Sequence, residues 1–157
     1  MAATDVITPE ARSALMARIK GKGTKPELLV RSLVHAMGFR FRLHRRDLPG
    51  TPDLAFIARR KVIFVNGCFW HSHKGCAGYR LPKSNRGFWK EKHDRNRARD
   101  RSALATLRHA GWDTLVVWEC ETRDLEALSA KLSEFLTSVG GSSTGPALDK
   151  ARRWRIQ

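Results

Sequence analysis

Apolar residues recur first at helical spacing, then at strand spacing, then at helical spacing again. Thr8-Pro9-Glu10 reads as an N-cap with proline at the first helical position, and Leu15, Met16 and Ile19 follow on one helical face. Gly21-Lys22-Gly23 stops that helix. Thr24-Lys25-Pro26-Glu27 is a second N-cap, with Glu27 in the capping-box position. Leu28, Leu29, Leu33, Val34 and Met37 form its apolar stripe, and Gly38 ends it. Phe39 to Leu43 alternates apolar and basic residues, as an edge or solvent-facing strand does. After the turn Leu48-Pro49-Gly50-Thr51-Pro52, residues 54–57 and 62–65 predict a hairpin of two strands around Ala58-Arg59-Arg60-Lys61. Residues 66–87 predict a long loop rich in Gly, His, Cys and Pro. Helix is predicted over 88–109, a buried strand over 114–118 and an amphipathic helix over 125–136. The order α-α-β-β-β-loop-α-β-α implies a mixed α/β domain with helices flanking a central sheet. Residues 1–8 are expected to be a flexible start, 9–138 the folded domain, and 139–157 a flexible basic tail.

Charge sharpens this picture. The 157 residues carry a formal net charge of +15, with 30 Lys and Arg against 15 Asp and Glu. Lys and Arg crowd residues 12–46, where Glu27 is the sole acid, and residues 80–101, where only Glu91, Asp94 and Asp100 oppose them. Residues 113–138 reverse the sign, with Arg123 and Lys131 as the bases. Solubility does not require such segregation, so a basic face for a polyanion is expected. The 41% of apolar residues suffices for one core. No apolar run approaches the roughly 18–20 residues of a membrane span, and the N-terminus lacks a secretory pattern. The expectation is a soluble, intracellular protein without a membrane partner.

Two metal constellations follow from the residue types. Three cysteines, Cys68, Cys76 and Cys120, suit a zinc site better than a disulfide framework. Zinc takes four tetrahedral N or S ligands in a closed structural site. One loop histidine completes the set; His73 is the choice, leaving His71 free. Taken singly, each cysteine would pass for a small buried thiol. Asp53 opens the predicted hairpin and Val65 closes it, so the two can converge on a hard divalent ion such as Mg²⁺. Asp53 offers a carboxylate oxygen and a backbone carbonyl near Val65 another. His71 could take a proton from water attacking phosphorus. Without context, a proline-aspartate before a strand reads more readily as a turn aspartate than as a metal ligand.

At these residues the chain acquires a likeness. Pro49-Gly50-Thr51-Pro52-Asp53, Asn66-Gly67-Cys68-Phe69-Trp70-His71, Phe88-Trp89-Lys90-Glu91-Lys92, Gly111-Trp112 and Val117-Trp118-Glu119-Cys120 appear in order. This succession resembles the very short patch repair (Vsr) DNA mismatch endonucleases. Arg12-Ser13 with Met16, and Lys25-Pro26-Glu27, match the same family near its N-terminus. The resemblance implies a restriction-endonuclease-like α/β fold, a structural Zn²⁺ and a catalytic Mg²⁺. It implies nicking of one strand 5′ to the thymine of a T·G mismatch, the product of 5-methylcytosine deamination. Carried over residue by residue, Asp53 is the metal-binding catalytic aspartate, with the Val65 carbonyl beside it. His71 is the general base, and Glu27 the helix acid acting through a water on the metal. Cys68, His73, Cys76 and Cys120 are the zinc ligands. Phe69, Trp70 and Met16 form an apolar wedge entering the base stack, and Lys92 and Asn96 contact bases. The expected partner is double-stranded DNA with a T·G mismatch, bound by a monomer in the bacterial cytoplasm, on the nucleoid, ahead of downstream repair proteins.

Each role has a plainer counterpart. Met16, Phe69 and Trp70 would also serve as core contacts, Lys92 and Asn96 as solvated helix residues, and Glu27 as a capping acid. The chain departs from the best-known pattern at Val65-Asn66, where Thr-His stands in the family. The threonine is dispensable if only its carbonyl binds metal; the histidine's loss removes an imidazole. Gly75 also lengthens the loop before Cys76. Three other readings compete: a related nicking or restriction enzyme with a different mismatch or site preference, a zinc-stabilised DNA-binding module without catalysis, and an RNA-binding protein.

Overall fold

The computed structural model describes residues 8–19 and 21–139. The flexible ends expected at 1–8 and 139–157 lie, but for Thr8 and Val139, outside the described residues. Within them run α1 (Pro9–Ala17), α2 (Lys25–Ala36), β1 (Arg42–Leu43), β2 (Leu54–Phe56), β3 (Lys61–Asn66), α3 (Arg86–His109), β4 (Asp113–Trp118) and α4 (Leu125–Thr137). The strands form one mixed sheet in the order β1-β2-β3-β4. β1/β2 and β2/β3 are antiparallel, while β3/β4 are parallel and pair Lys61 to Asn66 with Asp113 to Trp118. A parallel pair needs a crossover, which α3 supplies.

Strand alternation sorts the core into two layers. Leu54, Phe56, Ile63 and Val117 meet Val30 and Val34 of α2 and Leu128, Leu132 and Leu136 of α4. The intervening positions Ala55 and Val62 meet Leu107 of α3 with Leu48 and Trp112, and Phe64 packs against them. The result is a mixed α/β architecture with helices on both faces of the sheet.

Several boundaries differ from the sequence expectation. The alternating Phe39–Leu43 segment pairs only at Arg42–Leu43, because Phe39 and Phe41 turn edge-on to Phe56, at 6.5 and 6.1 Å between ring centres. Ile57 leaves the strand for a 3-10 turn (Ile57–Arg59), and Arg60 at φ 54° completes the reversal. β4 is the far edge of the sheet rather than an interior strand; only Val117 is fully buried. α1 ends at Ala17, short of Ile19, and leaves Leu15 and Ile19 about half exposed.

Lys61 is buried at 2% exposure. Its ammonium donates to the Phe135 carbonyl and, at 2.7 Å each, to the Ser138 carbonyl and hydroxyl. It therefore caps the C-terminus of α4, where unpaired carbonyls concentrate negative potential. Lys61→Met is expected to lower stability by about 1–2 kcal/mol in chemical denaturation, since the Ser138 carbonyl would lose this donor while the Phe135 carbonyl keeps only the Ser138 hydroxyl. An unchanged denaturation midpoint would show that the cap contributes nothing.

Candidate active site and metal centre

Because β3 and β4 are parallel and β2 runs against them, the start of β2 and the ends of β3 and β4 lie at one end of the sheet. Asp53, Val65, Asn66 and Trp118 meet there. The loop after Asn66 and the 3-10 turn Glu119–Arg123 also leave from this end.

The first cluster brings Cys68, His73, Cys76 and Cys120 together, with one ligand atom from each within 4.8 Å of the others. His73 Nδ1 lies 3.6 Å from Cys68 Sγ and 3.4 Å from Cys120 Sγ. A tetrahedral zinc ion with bonds of about 2.3 Å to sulfur and about 2.0 Å to nitrogen separates such donors by about 3.5 Å. The donor set therefore fits zinc in both chemistry and spacing. Trp118 stacks on the His73 ring at 4.2 Å and 4°, which holds its plane. Burial pushes the Cys68 thiol up to about 12 and raises Cys120 as well, while the Gly78 N–H lowers Cys76. A divalent cation reverses that preference and takes the thiolates. His71 is not part of this cluster.

The second cluster joins Glu27, His44 and Asp53, again within 4.8 Å. The Val65 N–H donates to Asp53 Oδ2 at 2.7 Å, which fastens the end of β3 to the start of β2. In an extended strand one residue's N–H and C=O face the same side. Continuing the register past Leu54 and Ile63 sets Pro52 opposite Val65, and proline has no N–H to offer. The Val65 carbonyl is thus left toward Asp53, and this oxygen pair fits a hard divalent ion. Burial drives the Asp53 carboxyl above its usual range and Glu27's charge adds to this, outweighing the Val65 N–H, His44 and His71.

Glu27 departs from the capping box. Thr24 Oγ1 does accept from the Glu27 N–H at 3.4 Å. The Glu27 carboxylate, however, is buried at 2% exposure and accepts from the Gly23 N–H at 2.8 Å and from Arg31, with His44 Nε2 2.9 Å away and itself hydrogen-bonded to Arg31. The Arg31 cation and the Gly23 N–H on the buried side outcompete the return to Thr24.

His71 stands across the sheet end. Its Nδ1 pairs with Asp100 Oδ2 of α3 at 2.6 Å, which leaves Nε2 as the other hydrogen-bonding position. Both residues line a cleft of about 660 Å³ with Thr51, Phe64, Asn66 and Asn96. Gly50 borders it at φ 73°, where a Cβ would come within 2.7 Å of the Ala103 Cβ, so only glycine lets the Pro49–Pro52 turn lie against α3.

Beside the cleft lies an aromatic patch. Phe69 meets Trp70, Trp89 and His93 with ring centres 5.0, 5.4 and 4.9 Å apart. Lys92 Nζ sits 5.4 Å over Trp70 and 5.5 Å over Trp89. Asn96 Nδ2 donates to the Trp70 carbonyl at 3.0 Å, so it braces the patch. Phe69 and Trp70 are half-buried and outside both core clusters. Met16 is half-buried on α1, and among the described residues it too belongs to neither cluster.

Sequence reasoning missed His44, Asp100, Trp89 and His93. Trp89, His93, Asn96 and Asp100 recur at three and four residues on α3, a stripe that helical periodicity could have picked out. His44 carried no such signal. His93 is buried against Phe69, Tyr79 and Trp89 with neither ring nitrogen bonded; burial holds its pKa below the usual value, so it packs as a neutral plate.

Comparison with known proteins places this geometry. The type II nicking enzyme V.XorIIP of Xanthomonas oryzae pv. oryzae is 53% identical over 133 residues, 85% of this chain and 97% of that protein. The type II nicking enzyme V.NmeAIP of Neisseria meningitidis serogroup A is 37% identical, covering 87% and 96%. The DNA mismatch endonuclease Vsr of Escherichia coli is 38% identical, covering 88% and 92%. The family pattern of DNA mismatch endonuclease Vsr matches residues 4–77. Among solved structures, the catalytic domain of homing endonuclease I-Bth0305I aligns over 72% of this chain and 94% of its own, at 18% identity and a TM-score of 0.49. The protein is a DNA endonuclease, and therefore a hydrolase that acts on DNA. It belongs to the Vsr mismatch endonuclease family. No helix among the described residues is long and apolar enough to cross a membrane.

Proposed function

We propose that this endonuclease nicks one DNA strand 5′ to the thymine of a T·G mismatch, with Mg²⁺ as catalytic ion, Zn²⁺ as structural ion and a restriction-endonuclease-like fold. The observation that carries the reading is the meeting, at one sheet end, of Asp53 with Val65 and of the His71–Asp100 pair beside the aromatic patch. Asp53 and the Val65 carbonyl would hold the divalent ion, which when bound polarises the phosphate and stabilises the leaving oxygen. His71 would take a proton from the attacking water through Nε2, with Asp100 orienting its ring. Glu27 would support Asp53 from behind. Phe69 and Trp70, with Met16, would wedge into the stack beside the mismatch. Unstacking costs roughly a few kcal/mol and less at a mispaired step, so the wedge senses the mismatch. Lys92 and Asn96 would meet base edges, and the exposed basic residues of α3 the backbone. We place the enzyme, as a monomer, in the bacterial cytoplasm ahead of downstream repair proteins.

The relatives named as type II nicking enzymes favour one other reading: the same chemistry with a different mismatch or site preference. A labelled duplex with one T·G mismatch in a methylated-cytosine context, beside T·A and C·G controls, separates the two. A Mg²⁺-dependent cut 5′ to the mismatched T, absent from both controls, is expected. Cutting of a matched duplex would favour the second reading, and binding without any cut would overturn both.

A further inference from the structure

Asn66 is the last residue of β3, and parallel pairing with Trp118 of β4 fixes its backbone. Alternation turns its side chain to the face of Val62 and Phe64, toward α3. It is 8% exposed, yet among the described residues no donor or acceptor reaches its side-chain amide. A buried amide without a partner is costly, and folded chains ordinarily avoid one. The amide is not sealed in either. Asn66 lines the 660 Å³ cleft and also a second cleft of about 420 Å³. His71 and Asp100 line both clefts too, so Asn66 stands where the two meet, beside that pair. The charge around this junction has mostly one sign. Arg99 lines the first cleft, and Lys74, Arg97 and Arg101 line the second. Among the described residues Asp100 is the one acid lining either, and His71 already pairs with it. Four cations around a neutral, unpaired donor suit a phosphodiester, whose oxygens carry negative charge and accept hydrogen bonds. Val65, next to Asn66 in the chain, holds Asp53 through its N–H at 2.7 Å, so the amide stands at the same sheet end as Asp53.

We propose that Asn66 is a further catalytic residue: its side-chain N–H donates to a non-bridging oxygen of the scissile phosphate and stabilises the charge that builds there during attack. This rests on the reading that Asp53 and His71 carry the cleavage. The amide forms no covalent bond and moves no proton; the proton of the attacking water still goes to His71. The donor is preorganised, because strand pairing holds its backbone and burial keeps bulk water away. Such a donor acts most strongly on charge that develops in the transition state. Where the family pattern has histidine, this chain presents a donor that does not titrate.

The test uses the full, zinc-loaded chain with Mg²⁺ in single-turnover nicking of the T·G duplex, or of the matched duplex should that be the one cut. The same duplex is also made with sulfur in place of one non-bridging oxygen of the scissile phosphate, each diastereomer separately. Asn66→Ala is expected to slow nicking by about a hundredfold, with duplex affinity within about threefold of the wild type. Its melting temperature should hold or rise, because the amide has no partner in the protein to lose. Sulfur accepts hydrogen bonds weakly, so one diastereomer should slow the wild type and lose most of that penalty in Asn66→Ala. Asn66→Asp keeps the size and removes the donor; it should fall at least as far as Asn66→Ala. Nicking by either variant within about threefold of the wild type would overturn the proposal. So would a sulfur penalty equal in wild type and Asn66→Ala for both diastereomers, and a drop in melting temperature beside it would make Asn66 a structural residue. Asp53→Asn and His71→Ala separate the two levels: full nicking by either would overturn the underlying reading. Loss in both with Asn66→Ala unimpaired would overturn only the role of Asn66, and a wild type that cuts neither duplex would overturn both.

Discussion

Asp53→Asn is expected to abolish nicking, by about three orders of magnitude or more, while DNA affinity stays within a few fold of the wild type. The size follows from the several kcal/mol that a polarising ion contributes to phosphodiester cleavage, at about 1.4 kcal/mol for each factor of ten. Binding survives because it rests on the basic surface and the aromatic patch, neither of which touches Asp53 Oδ1. The fold is expected to survive too. Asn retains an oxygen that can accept the Val65 N–H now held at 2.7 Å. The folded pKa of Asp53 is raised, chiefly by burial, so the fold gains from the protonated carboxyl at low pH and loses that gain as pH rises through the raised value. At neutral pH the amide removes the cost of a buried charge, and the melting temperature should hold or rise. Single-turnover nicking, filter binding and thermal melting together check this. Full nicking by the variant would remove Asp53 from the chemistry, and a collapse in melting temperature would make it a structural residue.

Cys120→Ser is expected to reduce bound zinc from one ion per chain toward none and to lower the melting temperature by about 10 °C or more. Cys120 leaves the end of β4, whereas Cys68, His73 and Cys76 lie in the loop after β3, and His73 and Cys120 are 47 residues apart. Any ion they share therefore fastens that loop to the sheet edge. Structural zinc contributes several kcal/mol to folding, and each kcal/mol moves the melting temperature of a chain of this size by roughly 2–4 °C. A chelator added to the wild type should reproduce the variant's melting curve. Unchanged zinc stoichiometry by elemental analysis would exclude Cys120 as a ligand. Because the loop also carries Phe69, Trp70 and His71, nicking should fall with zinc content rather than with temperature alone.

Much of the molecule was legible in the chain. The caps at Thr8 and Thr24, the stripe of α4 and the Lys61–Asn66 strand are local patterns, and local patterns report on residues three or four positions away or two along a strand; the α2 stripe was read only in part, since Leu28 is half exposed and Val30, outside the expected stripe, is fully buried. Cysteine and histidine were legible for another reason: few roles suit those side chains at such spacing, and His73 with the three cysteines does lie in one cluster. The strand ends were less secure. Phe39 and Phe41 alternate as a strand would, yet packing on Phe56 decided their course.

What composition and spacing determined by themselves is a basic mixed α/β protein with two metal-compatible residue sets and the strings of the Vsr family. What only the tertiary structure decided is which groups face one another. Capping chemistry points Glu27 back at Thr24, but burial beside Arg31 and His44 turned it inward. His71 and His73 are equivalent in the chain, and the approach of Asp100 on α3 separated them into two sites. His44 meets Asp53 only because β1 pairs with β2 in one register and not the next. The physical reason is the same in each case. A side chain's type is set locally, but its partner is set by strand register and helix packing, and those are settled by burial summed over the whole core.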